Sequence, residues 1–253
     1  MNRGRLTTIW VARIGDECGT MKGTSRMRKE NVIARLKALS NPGAVEEMTR
    51  VGINPGKSYG VSTPNLWALA REIGVDHDLA QELWASGIHD ARLVAGLIAD
   101  PEATTGEQMD SWARDFDSWA VCDHCCNQLF ARTRYAHDKA VEWSGSDQEY
   151  VKRAGFVIMA SLVVKDKKAA DERFEAFFPI MVREAGDERN YVRRAVNTAL
   201  RTVGKRNSSL NQKAIETARE IGKLEFKSAR WIASDAIREL TSDSVQKRLH
   251  KKK

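Results

Sequence analysis

The chain has 253 residues, 42% hydrophobic and 30% charged, and 41 Lys and Arg outnumber 34 Asp and Glu for a net charge of +7. That length gives ample surface to bury in one large domain or two small ones, and no stretch approaches the apolar length that spans a bilayer. Of the four Cys, Cys122, Cys125 and Cys126 share one short segment and Cys18 lies far away. This argues against a disulfide framework and for a reducing compartment, expected to be the cytoplasm.

Only 5 Pro occur, and the Gly fall mostly between periodic segments, so helices are expected rather than strands and turns. Residues 1–26 read as a disordered N-terminal extension without the apolar core of a secretory signal, and Met21 and Met27 are alternative starts. Asn31–Ser40 is a first amphipathic helix, with Val32, Ile33, Leu36 and Leu39 on one face. Asn41-Pro42-Gly43 breaks it, and a loop through Gly52, Asn54-Pro55-Gly56 and Tyr59-Gly60 follows. Thr63 is placed to cap the next helix, with Pro64 in its first turn and Gly74 as its stop. Asp78–Ser86 and His89–Ala99 form a short hairpin around Gly87. Thr105 caps a helix through Trp112, and helices at Trp119–Arg132 and Tyr135–Trp143 come next.

Beyond that point the chain repeats. Tyr150-Val151-Lys152-Arg153-Ala154 recurs about 40 residues later as Tyr191-Val192-Arg193-Arg194-Ala195. Looser copies are Ala91-Arg92-Leu93-Val94-Ala95 and Ala229-Arg230-Trp231-Ile232-Ala233, the latter aligned through its Arg. Helix pairs of this period suggest a HEAT- or armadillo-like solenoid. In the second copy Val192, Ala195, Val196, Ala199, Leu200 and Val203 form one apolar stripe, which a single helix cannot bury without stacked neighbours. Residues 27–245 are therefore read as one repeat domain and 246–253 as a basic C-terminal tail. Phe156–Val164 has the composition of a strand, but its place in the repeat predicts helix.

If the Arg-Ala helices line the concave face, Arg92, Lys152, Arg153, Arg193, Arg194 and Arg230 make a basic stripe suited to a phosphate backbone. The alternative is that these residues bridge acidic groups in adjacent repeats. Trp119 and Asp123 lie four apart and share a helical face. An indole beside a carboxylate can hold a flat cation such as an alkylated purine, or an oxocarbenium-like sugar. The alternative is a core Trp with an Asp near a helix start. Cys122, His124, Cys125 and Cys126 lack the second ligand pair of a structural zinc site, so buried thiols and no metal are expected. The remaining Trp67, Trp84, Trp112, Trp143 and Trp231 are read as core. No P-loop, Gly-x-Gly-x-x-Gly, His-Glu-x-x-His or Gly-x-Ser-x-Gly motif occurs.

Taken in order, several segments resemble the AlkD-type DNA alkylation repair proteins, helical-repeat alkylpurine DNA glycosylases. They are Tyr59-Gly60-Val61-Ser62-Thr63-Pro64, Leu83-Trp84, His89-Asp90-Ala91-Arg92, Ser118-Trp119 to Asp123, Lys152-Arg153-Ala154, Arg193-Arg194-Ala195-Val196 and Gly204-Lys205-Arg206-Asn207. The resemblance runs from about Val32 to Leu249. It implies an all-α fold, a right-handed superhelical stack of HEAT-like helical pairs, C-shaped around a concave basic groove that holds duplex DNA. It implies Trp119 and Asp123 at the damaged nucleotide, Arg153 on the nearby backbone, and base release without flipping, metal or cofactor; a solenoid of this length is expected to be a monomer. Thr198 stands where the family carries a second aromatic wall. A hydroxyl has no π face, and losing one wall costs on the order of 1–2 kcal/mol of cation stabilisation, roughly tenfold in rate. Ala120 also replaces an acidic residue often found after the Trp.

Three functions fit these residues. One is a monofunctional glycosylase for N3- or N7-alkylated purines. Another is a non-catalytic binder of distorted or branched DNA. The third is a helical-repeat scaffold for protein partners.

Overall fold

The computed structural model describes residues 27–53 and 56–250. The expectations for residues 1–26, for Asn54-Pro55 and for the last three lysines lie outside the described residues. Among those residues the chain forms α-helices and one 3-10 turn, with no strand. In order they are α1 Lys29–Ala38, α2 Pro42–Arg50, α3 Thr63–Ile73, α4 His77–Ala85, α5 His89–Ile98, α6 Gly106–Arg114, α7 Trp119–Gln128 and α8 Ala136–Ser144. There follow α9 Glu149–Lys165, α10 Glu172–Glu175, α11 Phe178–Glu184, α12 Asn190–Gly204, α13 Ser208–Ile221, α14 Lys227–Leu240 and α15 Asp243–His250.

Local chemistry sets these starts. The side chains of Asn41, Asp76, Thr105, Ser118 and Asn207 each accept a hydrogen bond from the backbone N–H three residues on, satisfying a donor the helix leaves free. Asn41-Pro42-Gly43 therefore ends α1 and begins α2, a helix absent from the sequence reading. Thr63 proves to be the first residue of α3 rather than its cap, and Ser62 precedes it without a side-chain cap bond. The helix expected to Arg132 ends at Gln128, and a 3-10 turn covers Phe130–Arg132. The expected tail boundary at 246 falls inside α15, whose Val245 and Leu249 are buried.

Packing makes a superhelical stack. Helices α5, α7, α9, α12 and α14 pack in sequence as an inner row, and α4, α8 and α13 back α5, α9 and α14. The stripe read on α12 is buried in full, with Val192, Val196, Ala199, Leu200 and Val203 at 0% exposure. Gly155 lets α9 approach α8, because a Cβ there would sit 2.7 Å from Ser144 N. Between the early repeats Trp84 stacks on Trp112 at 4.1 Å, and Phe116, Phe130 and Trp143 extend the cluster. Asp115 and Asp110 accept from the indole N–H groups of Trp84 and Trp143, each at 2.9 Å. Those Trp are core as expected. Trp231 is not, with 37% of its surface exposed.

Candidate nucleic-acid interface

Four inner helices share one register. Counting from the first helical residue, the third positions (Val121, Val151, Val192, Ala229) and the seventh (Cys125, Gly155, Val196, Ala233) are all buried. At about 100° per residue the fifth position points directly away from those two. It is occupied by Asp123, Arg153, Arg194 and Trp231. Cys122 of α7 bonds Tyr150 O, Arg153 of α9 bonds Tyr191 O and Arg193 of α12 lies on the Trp231 ring, so the starts of these helices sit side by side. Later turns also meet, through Asn127 with Ser161 and Arg201 with Glu239, so the four helices run parallel and their fifth residues form one line.

At the start of that line Arg153 grips Asp123. Its Nε donates to Oδ1 at 2.7 Å and its Nη2 to Oδ2 at 2.6 Å, the planar two-bond geometry that arginine forms best. Its Nη1 donates to Tyr191 O at 2.8 Å, tying α7, α9 and α12 together. Burial opposes the charge of Arg153, but the Asp123 carboxylate outweighs it and raises the guanidinium pKa. The Asp123 side chain remains 28% exposed.

A second layer crosses this spot. The indole Nε1 of Trp119 donates to Val51 O at 3.1 Å, and Tyr191 Oη donates to Gly52 O at 3.2 Å. The turn after α2 thus rests on α7 and on α12. Its footing is Asp90, 1% exposed, which accepts from Ser58 Oγ, Tyr59 N and Val61 N at 3.0, 2.7 and 2.8 Å. Sequence reasoning quoted Tyr59-Gly60-Val61 and His89-Asp90 as separate motifs and missed that one buried carboxylate joins them. Tyr191 was also missed as a site residue, although it opens the repeat and packs on Tyr150 with ring centroids 5.6 Å apart. No local signal pairs it with Gly52, which lies in another repeat.

The expected basic stripe divides. Lys152 is not on the inner line. It is 8% exposed and its Nζ meets Glu184 at 2.7 Å and Asp187 at 3.3 Å. As the fourth helical residue it is turned about 100° from Arg153, toward α11. Burial raises the pKa of both carboxylates, but their cationic hydrogen-bond partners outweigh it and hold both low. Arg92 lies over the Trp84 ring at 5.2 Å and reaches Asp117 at 3.6 Å. Arg193 lies 5.2 Å from the Trp231 ring centre. Arg194 and Arg230 are exposed and ion-pair with no carboxylate among the described residues; they bond Asn190 and Glu225 O. Thr198 is exposed one turn beyond Arg194, on the same face. His124 Nε2 bonds Leu93 O at 2.9 Å, and the Cys122 thiol donates to Tyr150 O at 3.4 Å. No group of three or more His, Cys, Asp or Glu suited to a metal occurs among the described residues. No described helix is long and apolar enough to cross a membrane.

Comparison with known proteins gives a consistent picture. The sequence profile of a family described as DNA alkylation repair enzyme matches residues 32–240. Lin0241 of Listeria innocua serovar 6a is 25% identical over 193 residues, covering 75% of this chain and 84% of that protein. Lmo0209 of Listeria monocytogenes serovar 1/2a is 24% identical over the same length, with the same coverage. A solved structure superposes with a TM-score of 0.69 at 26% identity, covering 84% of this chain and 95% of its own. It is described as a new family of proteins related to the HEAT-like repeat DNA glycosylases with affinity for branched DNA structures.

Proposed function

Because the chain belongs to the DNA alkylation repair enzyme family, we propose that it is a monofunctional glycosylase for N3- or N7-alkylated purines in duplex DNA. The observation that carries this reading is the Asp123 carboxylate: partly exposed, fixed by Arg153, and one helical turn from the Trp119 indole. An alkylated purine already carries positive charge. Its glycosidic electron pair can leave with it, and the sugar is left as an oxocarbenium-like cation. A fixed anion in that place stabilises the cation without reorganising. Water then bonds to the anomeric carbon and gives up a proton. The Trp119 ring offers its π face to the cationic base. The protein acts as a monomer, in the cytoplasm, on DNA laid along the inner line.

The test is release of methylated base from alkylated duplex. Asp123→Asn, which keeps an acceptor for Arg153, is expected to slow release by at least about a hundredfold. Wild type and variant releasing base equally, at the uncatalysed rate, would sink the excision reading.

A second reading has its own support. Both oxygens of Asp123 already accept from Arg153, which offsets the charge a sugar cation would feel. Thr198 also supplies no aromatic wall. A protein that holds distorted or branched DNA without cutting it fits these features. It predicts salt-sensitive DNA binding with no base release.

A further inference from the structure

We infer that Trp231 is a stacking platform for an unpaired DNA base, at the far end of the line that begins with Asp123. This rests on the reading that the inner face holds DNA, and is independent of excision.

The first observation is exposure. Trp84, Trp112 and Trp143 are each under 5% exposed, whereas Trp231 is 37% exposed. The second is register. Trp231 is the fifth residue of α14, in line with Asp123, Arg153 and Arg194. Aligning the repeats through their arginines had put Arg230 in that place. The buried third and seventh positions, Ala229 and Ala233, correct it by one residue. The third is charge. Arg193 lies 5.2 Å from the ring and braces it from α12. Arg230 precedes it in sequence and Arg194 holds the matching place on α12, both exposed cations with no carboxylate paired among the described residues. The two carboxylates of α14 are occupied, Asp235 by Asn197, Arg201 and Arg238 and Glu239 by Arg201 and Lys205.

An apolar protein partner would find cations around this ring. A nucleic acid would find an aromatic face between phosphate contacts, the combination that binds unpaired bases. In an intact duplex every base is stacked on both sides, so the indole needs a base freed by a gap, a bulge or a branch. Adjacent inner helices at about 8–10 Å put α14 roughly 25–30 Å from α7. One DNA molecule can therefore reach both ends of the line.

The experiment compares the full chain with Trp231→Ala and Trp231→Phe, on a duplex with a three-nucleotide gap and on the same duplex intact. Trp231→Ala is expected to bind the gapped DNA about tenfold more weakly and the intact duplex nearly unchanged, while Trp231→Phe stays near wild type on both. Equal losses on both DNAs, or no loss on gapped DNA, would overturn the inference. If wild type binds neither DNA, the DNA reading falls with it. If wild type binds both and Trp231→Ala matches it, only the stacking role is lost.

Discussion

Lys152 and Arg153 are neighbours in sequence and have different tasks. Arg153 faces the inner line and meets Asp123 across a helix interface. Lys152 points into the next repeat, where Glu184 and Asp187 meet it. Stranding a buried charge costs about 3–5 kcal/mol, but Glu184 and Asp187 keep Arg183 and Arg189, so loss of Lys152 costs the lesser amount of a charged hydrogen bond, about 1.5–3 kcal/mol. Lys152→Met, which keeps the length of the side chain, is therefore expected to lower unfolding stability by about that lesser amount and to leave DNA affinity unchanged. Urea denaturation and a DNA titration check the two halves. A large loss of affinity in the folded variant would return Lys152 to the groove. The sequence contained the pattern Lys-Arg-Ala but not its division of labour. Both side chains are nearly buried; which carboxylates each of two adjacent cations meets depends on where the helix begins, and those carboxylates lie in other elements.

The connection from α2 to α3 shows how an element is placed from a distance. Asp90 on α5 pins its second half, and the Trp119 and Tyr191 side chains hold its first half. Gly52 sits where these contacts meet, with φ at +76° and no room for a Cβ beside Tyr191 Oη. Gly52→Ala is expected to cost about 1–2 kcal/mol from the backbone alone, and more from the displaced hydroxyl. Tyr191→Phe should be milder, losing one hydrogen bond at about 1 kcal/mol. The double variant should lose less than the sum of the two single losses, because the phenyl ring leaves room for the new methyl. Strict additivity in urea midpoints would mean that the turn does not rest on Tyr191. Little of this element was legible beforehand. Asn41-Pro42-Gly43 reads as a break whether or not a helix follows, and α2 has no buried residue to give it a periodic stripe.

Across the whole molecule the packed repeats make stability depend on pH. His124 lies between α5 and α7, and burial lowers its pKa from about 6.5 to about 4 despite its bond to Leu93 O. Burial lowers His89 in the same direction. The unfolded chain therefore binds protons before the folded one as pH falls. Stability from these groups is complete above about 6.5, declines on the way down, and for His124 levels off below about 4. His124→Gln, which can still donate to Leu93 O, is expected to lose less stability than wild type between pH 7 and pH 4. Parallel pH profiles of the two proteins would assign the loss to other groups. The sequence by itself determined the helical class, the repeat period, the apolar stripe of α12 and the one-turn spacing of Trp119 and Asp123 on α7, because all of these follow from spacing along one chain. Only the tertiary structure decided that Arg153 grips Asp123, that Lys152 meets Glu184 and Asp187, that a turn from the first repeat rests on α7 and α12, and that Trp231 rather than Arg230 is the fifth residue of α14. Those outcomes depend on how far each helix is rotated against its neighbours, and that rotation is set by packing between residues distant in sequence.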